Sequence, residues 1–333
     1  MPRDASTPVA SVGARILAQP FSLIEVIPWV AALAVFFLAS DYLALGTSMI
    51  VMILFALSLD LLTGYAGIVT LGHALYFGIG AYAAGLLAKH GWNEPLSGLV
   101  MATAFTAIVG AVLGLVLAEL RGMASIMTSM ALGLIAYEGA KNAGWLTGGD
   151  DGLQGFSMAP VFGVFRWSVY GHTAFLYALA WLLVFFVAIR ILVASPFGLA
   201  LKGLRENYGR MQLIGAPVRL HVIELYTISS GLAGAAGALS AQTTSFVDVN
   251  VFSIDVSAGV LVMLVVGGLG RLYGAFAGVI VYMLIHNIAS ELAPFYWMFI
   301  IGAMLLAVVL FTRGGVMGIA DAARRTFMRK ETV

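Results

Sequence analysis

The stretch Val26–Leu62 constrains this chain more than any other. Its only charged residues are Asp41 and Asp60, and the rest is almost entirely apolar. As one continuous helix it would be about 56 Å long, nearly twice the roughly 30 Å of hydrocarbon that a bilayer offers. Asp41 marks the natural turning point, so the stretch reads as two crossings, Phe21–Ser40 and Tyr42–Leu62. The same reasoning gives further spans at Ile68–Ala88, Ser97–Leu117, Met123–Ala140, His172–Ala194, Val222–Ala241, Val256–Gly270, Leu272–Ser290 and Phe295–Thr312. Composition then closes the argument. Charged residues make up 10% of the 333 positions and apolar residues 61%, against about 25% charged in soluble domains. A soluble fold could not cover its surface with so little polarity, and a disordered chain needs the opposite composition. The expected fold class is all-α, a polytopic transmembrane helical bundle of about ten spans.

The basic residues orient the bundle. With residues 1–20 as a cytoplasmic N-terminal tail and 313–333 as a basic cytoplasmic C-terminal tail, only Lys89, Lys141 and Arg166 fall outside. The other fourteen of the 17 fall inside, as the positive-inside rule requires. This predicts a multi-pass protein of the bacterial inner membrane with one permease-sized membrane domain, 21–312. That domain carries an outside loop at 142–171 and an inside loop at 195–221. The N-terminus lacks the apolar core and cleavage site of a signal peptide. With no cysteine, thiolate metal sites and disulfides are excluded. A net charge of +1 argues against nucleic acid as a partner, and the lipid bilayer is the expected surroundings.

Ionisable groups inside spans are costly and therefore functional candidates. They are His73, Glu138 and His286, with Asp60, Asp255 and Glu291 as further candidates; most sit near expected span ends, and His73 stands apart. His73 sits in a glycine-rich segment with Gly64, Gly67, Gly72, Gly78 and Gly80. It reads either as a histidine bonded to a carbonyl freed by a broken helix or as part of a translocation path. A second cluster, Gly259, Gly267, Gly268, Gly270, Gly274 and Gly278, mirrors the first in the other half. Glycine-broken segments in both halves point to a path lined by unwound helices, and close helix packing is the competing explanation. The candidate path residues are Gly64, Tyr65, Gly67, Gly72, His73, Gly267, Gly268 and Gly270. Gly110/Gly114 and Gly231, Gly234 and Gly237 read as packing faces. No HExxH motif, paired intramembrane serine protease motif or phosphate-binding loop is present, since Leu204-Arg205 stands where the loop's Lys-Ser/Thr would be. The chain is expected to have no catalytic residue, no metal site and no nucleotide site of its own.

The inside loop has a grammar of its own. Ser195 can cap a helix that Pro196 opens, and Gly215 with Pro217 ends the run. Leu201, Leu204, Met211 and Ile214 form one apolar stripe, so an amphipathic docking helix is expected, lying on lipid or in a partner's groove.

Three ordered motifs carry a resemblance. Ser195-Pro196-Phe197-Gly198 followed by Arg205-Glu206-Asn207 and Gly215 resembles the cytoplasmic loop of permeases from branched-chain amino acid ABC importers, of the LivM type. Gly64-Tyr65-Ala66-Gly67 through Gly72-His73 to Gly80-Ala81-Tyr82 is similar to another of that family's signatures, and Gly267-Gly268-Leu269-Gly270 through Gly274 to a third. Val69-Thr70 replaces the family's Leu-Ser, and Tyr208 and Met211 replace its usual Glu and Ala. The resemblance implies a transport subunit, not an enzyme. It implies pairing with a second homologous permease to form the path, with two cytoplasmic ATPase subunits that hold ATP and Mg, and with a periplasmic substrate-binding protein. Ser195, Pro196, Gly198, Arg205, Glu206, Asn207 and Gly215 would dock on an ATPase. Asp150 and Asp151 are the expected contacts for the binding protein. The substrate class is a branched-chain amino acid or a related small organic solute such as an amide, urea or aromatic acid. An ion-coupled secondary transporter is the alternative that the broken segments and His73 leave open, and an intramembrane hydrolase is a remote third.

Overall fold

A computed structural model of the protein describes residues 23–38, 42–168 and 171–292, together with 296, 298–303, 306 and 315–318. Its helices are α1 Leu23–Leu38, α2 Leu43–Asp60, α3 Ala74–Lys89, α4 Pro95–Leu117, α5 Met123–Asn142, α6 His172–Ala194, α7 Pro196–Glu206, α8 Tyr208–Leu213, α9 Val218–Thr244, α10 Ile254–Gly267 and α11 Leu272–Leu292. Among the described residues β structure is limited to two isolated bridges, Leu153 with Val247 and Val161 with Phe165. The chain is all-helical, as expected.

Six of these helices are long and apolar enough to cross a membrane: α2 with the π-helical turn Leu61–Tyr65 that extends it, α4, α5, α6, α9 and α11. α3 and α10 are apolar but short, 16 and 14 residues, or about 24 and 21 Å. The span expected at Ile68–Ala88 starts late because residues 66–73 follow an irregular path before α3 begins. The expected Val256–Gly270 span stops at Gly267, while the Val222–Ala241 span is longer in the structure, reaching Thr244. The last expected span, Phe295–Thr312, lies largely outside the described residues, as do most of the two tails.

α9 is the axis of the bundle. Lipid removes most of the hydrophobic incentive for helices to associate, so close backbone approach has to hold them, and α9 supplies small residues for it. A Cβ at Gly234 would run into Thr106 of α4, and one at Gly237 into the Phe77 carbonyl of α3. On the facing helices, Gly80 lies against the Gly234 backbone and Gly110 against the Ser230 hydroxyl. The glycine pairs read as packing faces are therefore contact points between α9, α3 and α4. α10 and α11 form a second unit, with Gly267 against the Gly274 carbonyl and Gly278 against the Met263 carbonyl. Gly315 then lies within contact of Gly267 and Gly268. α11 carries the chain about 30 Å away from Leu272, so by Gly315 it has come back to the end it left.

The loop after α6 is two helices rather than one run. Asn207 leaves helical geometry (φ −160°, ψ 98°), and its side chain accepts a hydrogen bond from the Arg210 amide at 2.9 Å, capping α8. Ser195 caps α7 with Pro196 in its first turn, as expected, accepting from the Gly198 amide at 3.5 Å. Leu201 and Leu204 are buried, and Met211 packs its sulfur against Gly203, but Ile214 is 71% exposed. The expected apolar stripe is thus split: its first half anchors the loop and its second half faces outward.

Candidate functional site

The end of α2 gathers the three sequence motifs. α2 closes with Asp60 and then widens into the π turn Leu61–Tyr65, after which the Ile68 amide reaches back to the Leu62 carbonyl at 2.8 Å. Widening the turn leaves the Gly64 carbonyl open to an outside donor, and Arg205 of α7 donates its Nη1 to it. Arg205 follows the buried Leu201 by one helical turn, so the anchored face of α7 aims it at this point. Asp60 is fully buried, and its Oδ1 accepts from the Gly270 amide at 2.8 Å. Tyr65, the last residue of the π turn, is buried.

Two glycines here have no substitute. Gly67 has φ +74° with the Arg205 side chain 3.1 Å from where a Cβ would stand, and Gly270 has φ +75° between Arg205 and the Gly64 carbonyl. A side chain at Gly64 would occupy the space of the Asp60 carboxylate and the Gly270 amide. Gly64, Tyr65, Gly67, Arg205 and Gly270, taken from three distant parts of the sequence, therefore form one junction around Asp60.

Gly72 and His73 belong to a separate, deeper cluster. His73 is fully buried and stacks on Phe55 with ring centroids 5.4 Å apart and an 11° interplanar angle. The Ser58 hydroxyl donates to the Phe55 carbonyl at 2.6 Å, so its contact with His73 Nε2 at 2.8 Å is one in which the imidazole donates. His73 therefore bonds a side-chain hydroxyl, not a carbonyl freed by a broken helix. Its Nδ1 has no partner. Ser229 of α9 donates to the Ser58 carbonyl at 2.6 Å, and Ser257 of α10 accepts from the Ala74 amide at 2.9 Å. Ser129 of α5 accepts from the Leu71 amide at 3.4 Å, so amides released before α3 are met by serines from neighbouring helices, as a non-helical stretch inside a bundle demands, while Ser229 braces α2 itself. Gly72 lies against the Ser129 carbonyl of α5.

The remaining predicted residues are spread out. Glu206 is exposed on α7, and Gly198 is buried against the Val193 carbonyl. Gly215 ends the loop with nothing near it. Asp150 and Asp151 are exposed at the opposite end of the bundle, Asp150 paired with Lys141 at 3.4 Å. A groove of about 610 Å³ runs between α1, α2, α6 and α11, with Trp29, Phe175 and Phe276 among its walls and Glu291 at its rim, and none of the predicted path residues lines it. Sequence reasoning did not single out Ser58 or Ser257, and weighed Ser229 only as a protease serine without a paired histidine. It noted Asp60 only as a charge near a span end, and that was the available signal, since a carboxylate there needs a donor.

The helices define a multi-pass membrane protein with a helical loop latched onto one end of its bundle. The chain belongs to the family described as branched-chain amino acid transport system, permease component, whose model matches residues 42–309. It is 28% identical over 298 residues to the high-affinity branched-chain amino acid transport system permease protein LivM of Salmonella typhimurium, covering 81% of this chain and 68% of that one. The Escherichia coli protein of the same name is 27% identical, with the same coverage. A probable branched-chain amino acid transport permease LivM from Methanocaldococcus jannaschii is 25% identical over 78% of this chain and 88% of its own length. No solved structure matches the chain.

Proposed function

We propose that this chain is the membrane-spanning permease subunit of an ATP-driven importer for branched-chain amino acids or related small organic solutes. It works with a second permease, two cytoplasmic ATPase subunits that bind ATP and Mg, and a periplasmic binding protein. It lies in the inner membrane in about ten crossings with both termini cytoplasmic. The return of Gly315 to Gly268 supports a further crossing after α11, and the fourteen basic residues on one side support the orientation. Asp150 and Asp151, exposed at the opposite end, suit contact with the binding protein.

The observation that carries the reading is the latch between Arg205 and the Gly64 carbonyl. A loop that only lay on lipid would need no bond to the end of a membrane helix. A loop pushed by an ATPase would. Leu213 and Ile214, 90% and 71% exposed, leave an apolar tip free for such a partner. Reconstitution in liposomes tests it: leucine uptake is expected to need ATP and all partner subunits. Uptake by this chain alone, driven by a proton or sodium gradient, would overturn the importer reading in favour of an ion-coupled carrier. Glu206→Lys reverses an exposed charge on the loop and is expected to raise ATP consumed per leucine transported several-fold while the protein still inserts.

A further inference from the structure

We propose that Asp60 is the group in the membrane domain that receives the loop, and that Arg205 exchanges between the Gly64 carbonyl and the unoccupied carboxylate oxygen of Asp60 as the importer cycles. The inference rests on the importer reading above and assigns its transmission step to one pair of side chains.

The Asp60 carboxylate is fully buried, yet only Oδ1 has a donor, the Gly270 amide. Oδ2 is buried with no hydrogen-bond partner. A buried acceptor left empty is costly, and more so when it is charged. The nearest remedy is at hand. Arg205 bonds the carbonyl of Gly64, the residue whose Cβ would stand against the Asp60 carboxylate; a guanidinium carries five N–H donors, and the bond to Gly64 takes only Nη1. Gly64 and Gly270 each touch both groups: a Cβ at Gly64 would meet Asp60, one at Gly270 would meet Arg205, and the two glycines lie against each other. A small sideways movement of α7 would therefore carry a guanidinium donor from the carbonyl to the carboxylate.

The consequence follows from what the carboxylate holds. Asp60 ends α2, and the Gly270 amide belongs to the connection between α10 and α11. When Arg205 engages Asp60, it pulls on a group that ties those elements together, so a push on the loop reaches both at once. In the arrangement seen here the latch is on Gly64 and the carboxylate holds only the Gly270 amide. A fixed brace would instead show Arg205 and Asp60 satisfied by each other throughout, with no empty oxygen.

The test is a double-mutant cycle in the complete importer in proteoliposomes, reading radiolabelled leucine uptake and ATP hydrolysis together. Asp60→Asn keeps an oxygen for the Gly270 amide and removes the charge, and Arg205→Gln removes the guanidinium. Each is expected to raise ATP hydrolysed per leucine about tenfold, and the double variant to be no worse than either single, because the two act as one unit. Effects that multiply in the double variant, or a wild-type ratio in Asp60→Asn, would overturn the proposal. If Asp60→Asn does not assemble, Arg205→Lys against Arg205→Gln decides. A lysine that restores at least half the coupling supports the exchange, and a lysine no better than glutamine refutes it. Glu206→Lys separates the two readings. If it too leaves the ratio unchanged, the loop does not couple at all. If it uncouples while the Asp60 and Arg205 variants do not, only the exchange is wrong.

Discussion

The two glycine-rich regions look alike in sequence and do different things in the fold. Around Gly267, Gly274 and Gly278 the glycines face one another, closing α10 and α11 into a hairpin through their own backbones. Around Gly64, Gly67 and Gly72 they face other elements: Asp60 and Gly270, Arg205 of the loop, and the Ser129 carbonyl of α5. The first arrangement is self-contained packing. The second is a junction, where the chain leaves helical geometry and polar side chains from α5, α7 and α10 satisfy what it exposes. Small residues thus serve two ends, and only their neighbours tell which.

Substitutions can break this contrast. The largest effect is expected from Gly64→Ala, whose methyl group has nowhere to go between Asp60 and Gly270. A destabilisation of about 3 kcal/mol, at the upper end for overpacking, should accompany uptake near background, read as melting temperature and leucine transport. His73→Ala comes next. It opens a void beside Phe55 and leaves Ser58 without its imidazole donor, which should cost about 2–3 kcal/mol and lower uptake per folded molecule as well. Gly278→Ala presses on the Met263 carbonyl within the hairpin. It should cost about 2 kcal/mol but leave transport per folded molecule within twofold of wild type. If it instead lowers transport as much as Gly64→Ala, the distinction between hairpin and junction fails. The smallest change is expected from Asn207→Ala, which removes the α8 cap for about 1 kcal/mol. Its mark should be faster proteolysis of the loop rather than a lower melting temperature.

Much of this architecture was legible in the sequence. The apolar runs located the long helices because a membrane demands length and hydrophobicity, and Ser195-Pro196 located the start of α7 because capping chemistry is local. Asn207 was not legible as a break. Helical periodicity runs through it, and only its cap on Arg210 and the turn it enforces split the loop. The late start of α3 was likewise hidden, because residues 68–73 are apolar enough to read as span while Gly72 is held flat against Ser129. The site was half visible. The motif residues Gly64, Gly67, Arg205 and Gly270 could be picked out one by one, but nothing local told that they meet. Asp60 was missed as the centre because its partner lies 210 residues away.

That separation has a consequence in time. A ribosome adds about 5–20 residues each second, so the Asp60 carboxylate enters the membrane about 10–40 seconds before the Gly270 amide exists to meet it. Throughout that interval the growing protein holds an acid in an apolar place without the donor it will finally use. A chain cut short anywhere before Gly270 never acquires that donor. The cell is thereby given a chemical difference between an unfinished copy of this protein and a finished one, set by a single carboxylate rather than by overall shape.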